Sequence, residues 1–75
     1  RALRHVRARL REMPTDLGLP GGATDLASDG ASLDFQYDGP MPALLQWLAR
    51  QPVEDVRIEP MGLAGIYHRF HPGVD

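Results

Sequence analysis

Residues 4–10 read RHVRARL, within the longer stretch ALRHVRARLREM at 2–13, and the fold turns on whether they form a helix or a strand. Leu3, Val6, Leu10 and Met13 fit the spacing of one helix face. Val6, Ala8 and Leu10 also alternate with Arg7, Arg9 and Arg11, the pattern of a half-buried strand. Ala, Leu and Arg are all good helix formers, so the residues by themselves lean slightly towards helix. As a strand, the stretch would set Arg7, Arg9 and Arg11 in a row on one face. Such a row could meet phosphates or acidic partners. It could equally be a solvated face, or an edge guarded by charge against aggregation.

The segments downstream are easier to read. PTDLGLPGG (14–22) is dense in turn formers. Thr15 or Asp16 could cap a single helical turn there, but Gly18 and Pro20 end anything longer. ATDLASD (23–29) is a weak strand candidate. Asp29-Gly30 signals a hairpin, because Gly accepts the positive φ that a type I′ turn demands. In SLDFQYD (32–38), Leu33, Phe35 and Tyr37 face one way and Asp34, Gln36 and Asp38 the other, which predicts a strand. A helix follows. Pro40 and Pro42 are tolerated in its first turn, where the missing donors would be unpaired anyway. Met41, Leu44, Leu45 and Leu48 are expected to form its apolar face, and Pro52 stops it. Trp47, at the flank of that stripe, either finishes the core or marks a contact surface. VEDVRIEP (53–60) reads as a strand with Val56 and Ile58 inward and Asp55, Arg57 and Glu59 outward. In MGLAGIYHRF (61–70), Leu63, Ile66, Tyr67 and Phe70 share one helical face. Gly62 and Gly65 make this a helix that depends on packing, since each costs about 1 kcal/mol against Ala in a helix interior.

The chain has 75 residues and carries a net charge of -2. That length sets the expectation of a single small α+β domain over residues 1–75 with a modest core. The first residue is Arg1, so the chain is expected to be an excerpt of a longer protein. There is no cysteine, which excludes disulfides, thiolate metal sites and a cysteine nucleophile. No apolar run approaches the roughly 18 residues of a membrane span, and no signal-peptide pattern is present. The net charge argues weakly against nucleic acid or anionic membranes as partners. All basic residues are arginine, which with the Ala, Gly and Pro content looks like the bias of a GC-rich genome.

Candidate chemistry is sparse. His68 and His71 lie one helical turn apart and could approach a metal, with His5 or a carboxylate as a third ligand. The plainer interpretation is two polar groups at a helix end, where a cationic His interacts favourably with the helix C-terminus. Ser28 and Ser32 flank the expected hairpin turn without a Gly-x-Ser-x-Gly elbow. Glu54 and Asp55 form a solvated pair, and nothing forces two carboxylates together in an apolar setting. LPGGATD (19–25) lacks the phosphate-loop pattern, and the chain has no lysine to reach a phosphate. No catalytic, cofactor-binding or metal residue is therefore assigned. The candidate interaction surface is Arg7, Arg9, Arg11 and Trp47. RNA-binding sheets expose aromatics for base stacking, whereas Phe35 and Tyr37 share the expected core face with Leu33.

The second half resembles the C-terminal accessory domain of prokaryotic ABC-transporter ATP-binding subunits of the drug-export type. MGLAGIYHRF carries the resemblance. Leu63, Ile66 and Tyr67 fall at the Leu, Val/Ile and Phe positions of a Leu-Glu-Glu-Val/Ile-Phe motif, with Ala64 and Gly65 in place of its glutamates. The upstream order LPGGATDLASDG, ASLDFQYD, a Leu-rich helix and VEDVRIEP also fits. Relatives begin this domain with a strand, so the resemblance implies that RHVRARL is β rather than helix. The implied fold is a ferredoxin-like split β-α-β-β-α-β antiparallel sheet with a degenerate first helix and an extra C-terminal helix. The implied function is a non-catalytic regulatory or assembly domain that packs on its own nucleotide-binding domain or on a second copy. Through the parent protein it would serve a membrane permease, in the bacterial cytoplasm at the inner face of the membrane. ATP and Mg would bind only in the upstream domain. Two other functions remain open: a small-ligand or metal sensor on the same sheet, and a nucleic-acid-binding module using Arg7, Arg9 and Arg11.

Overall fold

The computed structural model describes residues 3–61. Its elements are β1 (Arg4–Leu10), β2 (Ala23–Asp29), β3 (Ser32–Tyr37), α1 (Met41–Ala49) and β4 (Val53–Pro60). The strands form one sheet in the order β2-β3-β1-β4, with every neighbouring pair antiparallel. This small α+β arrangement is consistent with a ferredoxin-like type of sheet. The helix expected over 61–70, with Leu63, Ile66, Tyr67, Phe70, His68 and His71, lies outside the described residues.

RHVRARL is a strand, against its helix propensity. Val6 pairs with Phe35 on one side and Ile58 on the other, and Ala8 with Leu33 and Val56. Val6, Ala8 and Leu10 are buried at 0%, 1% and 2% exposure, while Arg7 and Arg9 between them are exposed. A period of two matches a sheet with one covered face. A helix would have put Ala8 on the side opposite Val6 and Leu10, whereas all three are buried together. Partners on both sides and a buried face outweigh a propensity worth only tenths of a kcal/mol per residue.

The core joins Val6, Ala8, Leu10, Leu33, Phe35 and Tyr37 from the sheet to Leu44, Trp47 and Leu48 from α1. No polar or charged residue is buried among the described residues. Pro40 is the N-cap of α1 and Pro42 sits in its first turn, as their missing donors require. The buried stripe of the helix is rotated from expectation. Leu45 is 52% exposed, and Trp47 takes the inward place. Leu44, Trp47 and Leu48 lie at i, i+3 and i+4, and the indole fills more volume than a leucine could.

The segment between β1 and β2 contains no helix. Gly18 donates its N–H to Asp16 Oδ1 at 3.1 Å and takes a φ of 53°, so Asp16 closes a tight turn rather than capping a helix. Met13, Leu17 and Leu19 from this segment pack against the core. The hairpin between β2 and β3 also differs in detail. Asp29 pairs with Ser32, leaving Gly30 and Ala31 as the loop. Of these, only Gly30 has positive φ, at 63°, which is the type II′ pattern rather than type I′.

Candidate interaction surface

The core face of each strand fixes what the other face carries. His5, Arg7 and Arg9 of β1 point away from α1, together with their pairing neighbours. His5 lies between Gln36 and Glu59, Arg7 between Asp34 and Arg57, and Arg9 between Ser32 and Asp55. On β2, Ala27 pairs with Asp34 and Asp29 with Ser32, which adds both to this face. A depression of about 430 Å³ opens on it, lined chiefly by Arg7, Arg9, Arg57, Asp29, Asp34 and Asp55. Its floor is the four-stranded sheet, and its walls carry both signs of charge.

Three ion pairs cross the surface. His5 Nε2 lies 3.5 Å from Asp34 Oδ1, Arg9 Nε is 3.3 Å from Glu54 Oε1, and Arg57 Nε is 3.9 Å from Glu59 Oε2. The Arg9–Glu54 contact is also a hydrogen bond, with the guanidinium donating. The two arginine pairs are solvent-exposed and the His5–Asp34 pair is half-exposed, so each contributes little to stability. Arg7 forms no ion pair with any described residue, although it is the central arginine of the face.

Of the residues singled out in the sequence, Arg7 and Arg9 come together on the open face. Arg11 does not join them. It lies past the end of β1, where a register shift between Arg9 and Leu10 interrupts the ladder, and its backbone N–H donates to the Pro52 carbonyl. Trp47 offers no exposed surface, because it is 5% exposed and packs edge-on against Phe35 with ring centroids 5.7 Å apart. Its Nε1–H donates to the Leu17 carbonyl at 2.8 Å, so the indole also anchors the loop before β2. The sequence places Arg57 only on the outward side of its strand. Its place opposite Arg7 depends on the pairing register of two strands far apart in sequence, which no local signal specifies.

Among the described residues, no group of three or more His, Cys, Asp or Glu side chains is placed to hold a metal ion. No buried side-chain nitrogen or oxygen there lacks a hydrogen-bond partner. What this arrangement can do is bind: it offers fixed charges of both signs on a rigid sheet. No protein-family model, curated protein or solved structure matches the chain.

Proposed function

We propose that the chain is a non-catalytic regulatory or assembly domain of an ABC-transporter ATP-binding protein. It would contribute to packing or dimerisation of the ATPase subunit. The observation that carries this reading is the open, mixed-charge face of the sheet, backed by a core in which no charged residue is buried among those described. A surface of this kind suits a protein partner. It lacks the enclosed, convergent polar groups of a substrate pocket. The strand at 4–10 supports the resemblance drawn from MGLAGIYHRF, which implies it, and the order β2-β3-β1-β4 is consistent with the ferredoxin-like sheet that the resemblance implies. On this reading the fold is ferredoxin-like, with the 11–22 connection standing in for its first helix and 61–70 forming an added last helix. ATP and Mg belong to the upstream domain, and the parent protein lies at the inner face of the membrane. No helix among the described residues is long and apolar enough to cross a membrane.

Deleting residues 1–75 from the parent protein tests this. The remaining nucleotide-binding domain is expected to keep its affinity for ATP while its dimer population and ATP turnover change. If dimerisation and turnover both stay as they were, the proposal fails.

A further inference from the structure

The pairing register places Arg7 of β1 directly opposite Arg57 of β4 on the open face. Side chains so placed start about 5 Å apart, and like charges in that position destabilise a sheet. The core demands neither arginine. Val6, Ala8 and Ile58 set the register from the other face, and both arginines are exposed. The neighbours relieve the clash only in part. Asp34 lies beside Arg7 on β3, but it is the carboxylate that His5 approaches. Among the described residues, the ion pair of Arg57 is a 3.9 Å contact with Glu59, at 67% side-chain exposure. Local rules broken with only partial compensation in the fold are found at functional sites.

We propose that the Arg7–Arg57 cross-strand pair is a docking point for a carboxylate side chain from an acidic segment of a partner protein. Two guanidinium groups carried on directly opposed residues of neighbouring strands can offer forked donors to the two oxygens of one carboxylate. That anion turns the repulsion between the arginines into a shared attraction. The surroundings select a single carboxylate over a run of phosphates. Asp34 lies beside Arg7, Asp55 is paired with Arg9, and Asp29 lines the same depression. A nucleic-acid backbone crossing the face would meet these acids on either side of the two arginines. An acidic protein segment sets one charge between the arginines and turns polar or basic groups towards the flanking aspartates. The site rests on the assembly reading, and names the contact through which assembly occurs.

The test is a double-mutant cycle of Arg7→Gln and Arg57→Gln in the 75-residue chain, followed by thermal unfolding at low salt. It is run alone, with the blocked single-carboxylate peptide acetyl-GSGEGSG-amide, and with its neutral counterpart acetyl-GSGQGSG-amide. Both positions are exposed, so the variants keep the core intact. Without peptide, the cycle is expected to show the two arginines repelling each other. With saturating acidic peptide the coupling reverses sign, and each single variant binds the peptide about tenfold more weakly, the effect of losing one charge-assisted donor group. The Arg7 and Arg57 Nε–H signals in NMR should shift together during the titration. An unchanged coupling, equal effects of the neutral peptide, or binding of duplex DNA at lower concentration than the acidic peptide would each overturn the proposal. Unaltered dimerisation on deleting residues 1–75 would remove the assembly reading and leave this titration untouched. A silent titration would remove the site and leave that reading standing.

Discussion

Gly39 shows how a single residue can be set by a contact distant from its local pattern. A Cβ at this position would lie 2.6 Å from Tyr37 Oη and 2.8 Å from the Gly21 carbonyl oxygen. Tyr37 is fully buried, and its hydroxyl donates to the Pro40 carbonyl at 2.7 Å, just ahead of α1. The ring cannot withdraw without losing that hydrogen bond and its place in the core. Gly39→Ala is therefore expected to destabilise the fold by about 1–3 kcal/mol, the usual cost of forcing extra volume into a packed site. Urea unfolding of the variant would measure it, and an unchanged midpoint would show that the Tyr37–Pro40 contact is not the constraint. Nothing in the stretch DGP discloses this, because the clash involves a side chain folded back over it and a loop from upstream. Trp47 was similarly undecided in the sequence. Its spacing allowed either side of the helix, and only the presence of Phe35 and the Leu17 carbonyl on the sheet side settles it inward.

At the scale of elements, β1 is the hub. It pairs along its length with both β3 and β4, whereas β2 and β4 are the edges. Edge β2 is further weakened by a bulge between Thr24 and Ala27, where Asp25 takes a φ of 56°. Asp is among the few residues that adopt this conformation readily, and a bulge there deters pairing with another chain. Hydrogen exchange should therefore be slowest at the β1 amides of Val6 and Ala8 and faster at Asp25 and Leu26. Exchange at a single common rate across the four strands would contradict this ranking. The strand character of β1 was present in the alternation of Val6, Ala8 and Leu10. It was masked by residues that individually favour helix, because propensity is local and the two pairing partners are not. The strand SLDFQY and the helix after Pro40 were legible, since pattern, turn residues and propensity there agree. The type II′ turn was not, because Gly30 can serve either hairpin type and the register decides between them.

At the scale of the whole molecule, one face of the sheet is covered by α1 and provides the stability, and no other described element covers the second face. The covered face was largely readable as an apolar pattern. The open face was readable only in part: the sequence shows that Arg7 and Arg9 share a side, but not that Arg57 opposes Arg7 or that Asp34 and Asp55 flank them. Those aspartates change what the arginine row can bind. Alone it suited phosphates; among acids it suits a protein surface of mixed charge. Titration calorimetry of the isolated 75-residue chain tests the central claim most directly, first with Mg–ATP and then with the nucleotide-binding domain that the proposal places upstream. No heat with Mg–ATP and saturable heat with that domain are predicted. Saturable heat with Mg–ATP alone, or none with the domain, would contradict the account.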